Sequence, residues 1–320
     1  MPCLAIVGTF IRDRIFPAPA GEDRPEPAPT EDWGGIVYSL EAFETAREDE
    51  WTFLPIAKVG EDVYDEALTR VQTFTGVRSL EGLRRVPEPN NRVDLYYHDA
   101  GDRCERLRGG VPGWAWDELA PLVAGCDAVY LNFISGWELD LPAARALRRG
   151  FAGPIYADIH SLLLGIDDSG VRVRRSLPDW PRWVECFDWA QGNADEIAIL
   201  TGEEDPLAGA CALVAQGAEA AFCTLGQGGA AWATRDGMGR SEAPEVADLA
   251  ASNRPDAGLD PTGCGDVWGA TCVAALLAGR PVPEAVRRAN HFAAAAARHH
   301  GTAGLARALG RPSVAGSSPR

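Results

Sequence analysis

The chain has 320 residues, 46% of them hydrophobic, and a formal net charge of −16 at pH 7. This length suits one large α/β domain or two modest ones, and the apolar content is enough for a sizeable core. The acidic balance argues against a nucleic-acid partner, because nucleic-acid-binding domains carry a basic surface. It does not exclude a phosphate ligand, since backbone N–H groups can hold phosphate without lysine.

Nothing in the sequence predicts a membrane segment or an export signal. No apolar run approaches the roughly 18 residues of a membrane span, and the opening MPCLAIVGTF lacks a basic region. The eight cysteines are scattered and include no C-x-x-C pair, which predicts free thiols rather than a zinc site or a disulfide framework. We therefore expect a cytoplasmic protein with no membrane partner.

The first third of the chain mixes strands and helices. Residues 3–7 predict an apolar first strand, and residues 17–31 predict a loop or edge segment because they are rich in proline and acid. Asp-Ala-Gly-Asp at 99–102 predicts a hairpin turn. The other predicted strands are 51–57, 92–97 and 104–107, and the predicted helices are 36–46 and 64–74.

From residue 128 onward, predicted strands and helices alternate. The strands are 128–132, 155–159, 189–192, 221–225 and 230–234, and the helices are 141–149, 195–201, 206–216, 265–278 and 283–299. Such alternation predicts a parallel central sheet with helices on both faces. We expect a single domain over residues 1–309, with a small β lid from about residues 10–35 and 88–110. Residues 310–320 predict a disordered tail.

One stretch, LDPTGCGDVWGA at 259–270, places a glycine-rich turn directly before a predicted helix. The free N–H groups and the dipole at a helix start attract anions. The backbone of Gly263, Cys264 and Gly265 could therefore cradle a phosphate during transfer. Asp266 beside it could take a proton from an attacking hydroxyl. The structural alternative is a plain turn in which Asp266 only caps the helix.

Residues 260–266, DPTGCGD, resemble the second signature of the PfkB/ribokinase-like carbohydrate kinases, D-T-x-G-A-G-D. Weaker landmarks of that family follow in the expected order over almost the whole chain. They are Gly8 with Asp13, Trp33-Gly34-Gly35, Val59-Gly60-Glu61-Asp62, Asn193-Ala194-Asp195-Glu196, Thr224-Leu225-Gly226-Gln227-Gly228-Gly229, and Asn290.

This resemblance implies a ribokinase-like three-layer α/β/α fold with a mainly parallel sheet and a small β-sheet lid. It implies transfer of the γ-phosphoryl group of ATP to a hydroxyl of a sugar or nucleoside, with Asp266 as base and an anion hole at 263–265. The implied roles are Asn193 and Glu196 for Mg²⁺, Glu196 through water; Thr224, Gly226, Gly229 and Asn290 for ATP; Asp13, Gly34, Gly35 and Ser39 for substrate; and Asp260 for a possible K⁺. Relatives often dimerise through the lid, which implies a homodimer.

The sequence departs from the family pattern at several of these positions. Pro261 replaces threonine and removes a hydroxyl and an N–H near the implied K⁺ position, whereas Cys264 replaces alanine and keeps its amide. Ser39 stands where sugar kinases often carry asparagine, which argues against ribose itself as the acceptor. Residues 158–161, DIHS, stand where relatives often carry D-x-N.

Two other functions remain open from the sequence alone. Residues 226–231, GQGGAA, satisfy the G-x-G-x-x-A pattern of nicotinamide-dependent oxidoreductases. That pattern should open a helix in the first βαβ unit, whereas here it lies late in the chain and precedes a predicted strand. The second alternative is a ribokinase-like ligand sensor that has lost catalysis. The Asp266 carboxylate beside an anion hole argues against it, because a binding protein needs no base there.

Overall fold

The structure is a computed structural model that describes residues 1–16, 29–97, 103–244 and 259–310. The strands are β1 (Cys3–Val7), β2 (Phe10–Phe16), β3 (Thr30–Gly35), β4 (Thr52–Gly60), β5 (Leu83–Val86), β6 (Arg92–Tyr97), β7 (Arg103–Arg108), β8 (Ala128–Asn132), β9 (Ile155–Asp158), β10 (Leu164–Ile166), β11 (Arg172–Arg174), β12 (Trp189–Asn193), β13 (Ala220–Thr224), β14 (Ala230–Thr234) and β15 (Met238–Ser241). The helices are α1 (Ile36–Ala46), α2 (Tyr64–Val71), α3 (Trp116–Val123), α4 (Leu141–Gly150), α5 (Trp180–Val184), α6 (Ala194–Thr201), α7 (Pro206–Ala215), α8 (Cys264–Leu277), α9 (Val282–Ala296) and α10 (Leu305–Ala308).

The main sheet has the strand order β15-β14-β13-β12-β9-β8-β1-β4-β5. The pairings from β13 to β5 are parallel, and β14 and β15 add two antiparallel strands at one edge. Central strands of such a sheet are covered on both faces and read as continuous apolar runs. The five residues of β1, CLAIV, are buried throughout. The mainly parallel sheet predicted from the sequence is confirmed.

Helices cover both faces of this sheet and give the predicted three layers. Leu4 and Ile6 of β1 pack into one core with residues of α1, α2, α8, α9 and α10. Cys3, Ala5 and Val7 pack into the opposite core with residues of α3 to α7. Because successive side chains of a strand point to opposite faces, one short apolar strand supplies both cores. This arrangement fixes the start of α8 over the carboxyl ends of the central strands.

A separate four-stranded sheet, in the order β3-β2-β6-β7, stands beside the main sheet. Its strands fall within the two segments predicted to form a lid, and β6 and β7 pair antiparallel as predicted for a hairpin. Its apolar residues Ile11, Val93, Leu95 and Leu107 pack together and contact Ile134 and Trp137 of the main body. The predicted hairpin turn, most of the predicted 17–31 loop and residues 311–320 of the predicted tail lie outside the described residues.

The structure adds elements that the sequence pattern did not predict. Helix α3 carries Pro121 in its interior, which is unfavourable for helix formation and obscures the pattern. The strands of the β10–β11 hairpin have only three residues each, too few to show a period of two.

Across the described parts of the chain, no helix has the length and apolarity that a bilayer span requires. All eight cysteines lie in described segments, and each has a free thiol.

Candidate active site

Polar side chains end four neighbouring strands of the main sheet at the same edge. Asn132 closes β8 and pairs in register with Asp158 at the end of β9, which in turn pairs with Gln191 of β12. Two residues further along β12, Asn193 pairs with Thr224 of β13. In open α/β sheets, ligands bind in the crevice outside the carboxyl ends of the strands. These residues form what we call the carboxyl-end row.

The glycines at the start of α8 have different surroundings. Gly263 has a φ of +73°, and a Cβ there would lie 2.3 Å from the ring of Tyr38. Gly265 is exposed, and a Cβ there would meet nothing within 4 Å. The backbone conformation and Tyr38 therefore require glycine at 263, whereas glycine at 265 leaves the helix start open to a ligand. The N–H of Cys264 donates to the carbonyl of Pro261 at 3.2 Å, so one of the three predicted anion-hole amides is engaged within the turn.

Asp266, the predicted base, lies in the first turn of α8 and is partly exposed. Its Oδ1 accepts a hydrogen bond from Asn132 Nδ2 at 2.5 Å. Burial raises the pKa of Asp266 to about 6, although the Asn132 hydrogen bond and the charge of His160 lower it. A carboxylate with a pKa close to neutrality is suited to general base catalysis.

Asp158 is a buried carboxyl group that the sequence prediction of the site did not include. Burial and the neighbouring charges of Asp266 and Glu196 raise its pKa to about 8, so it holds a proton at neutral pH. Its Oδ1 accepts a hydrogen bond from the backbone N–H of His160 at 3.3 Å. The available sequence signal was its place at the end of a buried strand, within the DIHS that stands where relatives often carry D-x-N.

Asn193 and Glu196 form a reciprocal cap at the start of α6. Glu196 N–H donates to Asn193 Oδ1 at 2.9 Å, and Asn193 N–H donates to Glu196 Oε2 at 2.8 Å. Glu196 Oε1 also pairs with His160 Nδ1. Burial disfavours both charges, but the pairing lowers the pKa of Glu196 and raises that of His160 to about 9. The pair therefore places an imidazolium beside the carboxyl-end row.

The residues predicted to hold Mg²⁺ fit an ion that keeps its water. Across the described residues, no three His, Cys, Asp or Glu side chains are grouped closely enough to hold a metal ion by themselves. The carboxyl groups of Asp158, Glu196 and Asp266 nevertheless interact, because the charges of Asp266 and Glu196 add to the effect of burial in raising the pKa of Asp158. Mg²⁺ usually binds through one or two carboxylates, several waters and the phosphates of a substrate. The contact of Glu196 with Mg²⁺ through water stays a prediction.

The predicted nucleotide turn follows β13 directly. Gly226 has a φ of +56° with open space around it, and Gly229 has a φ of +86°. A Cβ at Gly229 would lie 2.1 Å from the carbonyl oxygen of Ser241, so β15 packs against bare backbone there. Residues from Ala230 onward form strand β14 rather than a helix. The turn therefore lacks the helix that a nicotinamide-binding fingerprint opens, and that alternative loses its structural basis.

Asn290, predicted to contact ATP, is only 3% exposed. Its Oδ1 accepts a hydrogen bond from Trp268 Nε1 at 2.7 Å. Its Nδ2 donates to the carbonyl oxygens of Ser241 at 2.8 Å and Glu242 at 3.1 Å. The amide therefore ties α9 to α8 and to the end of β15, and the structure does not support a direct contact with ATP. A position in a motif does not reveal which way a buried amide faces.

The predicted substrate residues of the small sheet lie together. Asp13 on β2 is nearly buried, and a Cβ at Gly34 on β3 would lie 1.9 Å from Asp13 Oδ2. Gly35 has a φ of +59° and ends β3 immediately before α1. The Asp13 carboxylate therefore packs directly on the backbone of Gly34.

The structure does not support the predicted contact between Ser39 and the substrate. Ser39 is 0% exposed, and its Oγ accepts a hydrogen bond from Asn132 Nδ2 at 2.9 Å. Its side chain therefore does not line an open cleft, because α1 is buried along almost its whole length. The same hydrogen bond brings in Asn132, a residue that the sequence prediction missed. The only available signal was a polar residue closing an otherwise apolar strand.

Asp260, the predicted K⁺ residue, has protein partners on both carboxylate oxygens. Oδ1 accepts the backbone N–H of Thr262 at 3.0 Å, and Oδ2 lies 3.2 Å from His300 Nδ1. Coordination of K⁺ by Asp260 would have to share these oxygens with Thr262 and His300. The K⁺ site stays a prediction.

A cavity of about 430 Å³ adjoins the carboxyl-end row. Its lining includes His160, Asn193 and Glu196 on one side, and Cys104 and Glu105 of β7 on another. A larger cleft of about 530 Å³ has three tryptophans in its lining, Trp114, Trp116 and Trp137. It shares no lining residue with the carboxyl-end row. The cavity beside the row, which links the main sheet to the small sheet, is the better candidate for ligand binding.

Comparison with known proteins agrees with this geometry. Residues 169–308 match the model of the pfkB family of carbohydrate kinases. No curated protein matches the chain in sequence. Ribokinase from Thermotoga maritima has a TM-score of 0.72 at 17% identity, over 97% of this chain and 98% of its own. Burkholderia thailandensis nucleoside kinase in complex with inosine has a TM-score of 0.69 at 16% identity, over 95% of this chain and 93% of its own.

A third similar structure, a ribokinase II from E. coli in complex with ATP and Mg²⁺, has a TM-score of 0.71 at 17% identity, over 94% of each chain. These likenesses extend over nearly the whole chain and include both sheets. Together with the match at 169–308, they confirm the resemblance predicted from the sequence. The chain therefore has a ribokinase-like fold, and its residues 169–308 are similar to the pfkB family of carbohydrate kinases.

Proposed function

We propose that the protein is an ATP-dependent kinase that phosphorylates a hydroxyl of a sugar or of a sugar-bearing small molecule such as a nucleoside. The observation that carries this proposal is Asp266, a carboxylate with a pKa of about 6 beside the open, glycine-rich start of α8. The kinase fold of the similar proteins supports it, as does the nucleoside bound by one of them.

In the proposed reaction, Asp266 accepts the proton of the attacking acceptor hydroxyl. The backbone amides at 263 and 265 face the moving phosphoryl group and stabilise its charge, and the Cys264 amide joins them if its bond to Pro261 opens. Mg²⁺ bound with ATP would offset negative charge on the phosphates. Asn193 and Glu196 would hold that ion through water.

Nucleotide and acceptor are assigned to different ends of the site. Thr224, Gly226 and Gly229 would contact ATP. Thr224 ends β13, where it pairs with Asn193 of β12, and the two glycines lie in the turn that follows. Asp13, Gly34 and Gly35 of the small sheet would contact the acceptor. The small sheet would act as a lid of the single domain over residues 1–309, closing to exclude water and suppress ATP hydrolysis.

Location, assembly and cation use belong to the same proposal. Free thiols support a cytoplasmic location, since disulfides rarely form there. Dimerisation through the small sheet would bury strands at its edges, β3 and β7. K⁺ near Asp260 would act with His300 as an immediate neighbour. Light scattering over a range of protein concentrations, and activity with and without K⁺, test the last two.

The decisive experiment measures ADP release from Mg·ATP across pentoses, hexoses, ketoses, sugar acids and nucleosides. One acceptor should stimulate release, and Asp266→Asn should lower that rate by about 10²-fold or more. Asp236→Asn, which changes an exposed carboxylate in the turn after β14, serves as the matched control and should keep full activity. ATP binding without stimulation by any acceptor would instead favour a ligand sensor, and absence of ATP binding would refute the nucleotide site.

A further inference from the structure

Asn132 is buried at the end of β8, with 2% of its surface exposed. Its amide nitrogen donates to Asp266 Oδ1 at 2.5 Å and to Ser39 Oγ at 2.9 Å. An amide nitrogen has two protons, and both are used here. The opposite orientation would set the amide oxygen against a carboxylate oxygen at the same distance, where two acceptors repel. The hydrogen-bond pattern therefore fixes which way the amide faces.

The two partners of Asn132 come from helices on the same face of the sheet. Ser39 is fully buried on α1, and Asp266 lies in the first turn of α8. The hydrogen bond to Ser39 Oγ holds the amide of Asn132, and that amide holds one carboxylate oxygen of Asp266. Asn132 thus engages Oδ1 of Asp266 and leaves Oδ2 outside this contact. A base that must accept a proton along one direction gains from such a restraint.

Several titratable groups surround Asp266. They are Tyr38 on α1, Tyr130 on β8, Asp158 and His160 at and after the end of β9, Glu196 on α6, and Cys264 on α8. Burial and the charge of Glu196 raise the pKa of Asp266, whereas His160 lowers it through its charge. Asn132 is the neutral donor in direct contact, and its hydrogen bond favours the ionised carboxylate.

We propose that Asn132 is the positioning residue of the catalytic base, holding Asp266 Oδ1 so that Oδ2 faces the acceptor hydroxyl, with Ser39 as the anchor that orients the amide. This inference rests on the proposed kinase function and deepens it. It assigns to Ser39 a role behind the base, in place of the substrate contact that its sequence position implies. Neither residue touches the reacting atoms in this scheme.

The first test compares Asn132→Leu and Ser39→Ala with the wild type in the acceptor-stimulated assay. Asn132→Leu keeps the side-chain size and removes both donors. We expect a loss of about 10²-fold in kcat, little change in the KM for ATP, and an upward shift of about one pH unit or more in the acidic limb of kcat/KM. Ser39→Ala should shift the acidic limb of kcat/KM upward by a smaller amount. Ser39→Thr, which keeps a hydroxyl, should return the acidic limb to its wild-type position.

The second test needs no turnover. The pH titration of the Asp266 carboxyl carbon, assigned by its absence in Asp266→Asn, is followed by NMR in the wild type and in both variants. A midpoint that rises on loss of Asn132 or of the Ser39 hydroxyl supports the proposal. A melting temperature that falls while the midpoint and the acidic limb stay in place overturns it, because a purely structural amide would behave in that way.

These two readouts separate the inference from the function on which it rests. If the wild type phosphorylates no acceptor, the kinase proposal fails and the catalytic role of Asn132 fails with it, whatever the midpoint. If the wild type is active and the midpoint is unaffected in Ser39→Ala and Asn132→Leu, only the positioning role fails. Ser39→Ala removes a single buried hydroxyl, so the test remains decisive where Asn132→Leu does not fold.

Discussion

His160 and Glu196 form an ion pair across the carboxyl-end row. Glu196 uses one oxygen to cap α6 through Asn193 and the other to pair with His160. The pairing overcomes the effect of burial and raises the pKa of His160 to about 9, so the imidazole carries a positive charge at neutral pH. A cation therefore lies next to the residues proposed to organise the phosphates, in a protein whose net charge is −16.

We predict that His160→Gln weakens the binding of ATP. Loss of the imidazolium leaves the carboxyl groups of Asp158, Glu196 and Asp266 without their neighbouring cation, so the KM for Mg·ATP should rise about 3- to 10-fold. His299→Gln is the matched control, because the His299 ring bonds to the backbone carbonyl of Ala303 beyond the end of α9 rather than to a carboxylate. Equal KM values in the two variants would show that the His160 charge does not reach the nucleotide.

The pKa of Asp158 leads to a prediction about stability and pH. This carboxyl group changes from an ordinary pKa of 3.8 to about 8 in the fold. The folded state then keeps a proton that the unfolded chain loses, so the contribution of Asp158 is fully present below about pH 4 and is lost as the pH rises through about 8. The pKa of Asp266 rises less, to about 6, so its contribution to stability is also lost with increasing pH, but at lower pH values.

Asp158→Asn should therefore leave the free energy of unfolding nearly unchanged at pH 5 and raise it, relative to wild type, by about 1–3 kcal/mol at pH 8.5. Urea denaturation at the two pH values measures this difference. Asp236→Asn, in an exposed turn, should change the free energy of unfolding by the same small amount at both pH values. A wild-type stability that rises between pH 5 and 8.5, with Asp158→Asn parallel to it, would contradict the assigned protonation state.

Much of the fold followed from the sequence because local pattern determines it. The apolar runs of β1 and β8 and the alternation after residue 128 predicted a parallel sheet with strand limits within a few residues. The glycines near Asp266 likewise marked the start of α8. Hydrophobic periodicity and helix-start chemistry are properties of neighbouring residues, so a single sequence is enough to predict them.

The pairing of polar side chains could not be predicted in the same way. Asn132 meets Ser39 across 93 positions and Asp266 across 134 positions of the sequence. Only the order of strands in the sheet brings these residues together. The motif at Ser39 identified a position near the site but not its burial, and the position of Asn290 did not reveal its bond to Trp268. Side-chain direction inside a core depends on tertiary packing, which sequence spacing does not specify.

The two glycines flanking Cys264 should respond oppositely to alanine. Gly263→Ala forces a side chain into a left-handed backbone and onto the ring of Tyr38, so we expect a loss of about 2–4 kcal/mol in the free energy of unfolding. Gly265→Ala meets no neighbour, so stability should be unchanged or slightly higher. Its activity should nevertheless fall by about 10-fold or more, because the methyl group narrows the approach to the helix amides. Full activity in a stable Gly265→Ala protein would argue against the anion hole.

Gly34→Ala tests whether the small sheet binds the acceptor. A Cβ at this position would overlap Asp13 Oδ2, so the carboxylate must move away from the backbone of β3. We expect the KM for the acceptor to rise about 10-fold while the KM for ATP changes little, because the nucleotide is assigned to the other end of the site. Gly110→Ala, whose Cβ would meet only the side chain of Glu88 at 3.6 Å, is the matched control beside the same sheet. If Gly34→Ala instead lowers kcat and leaves the acceptor KM unchanged, Asp13 acts on the reaction itself rather than on acceptor binding.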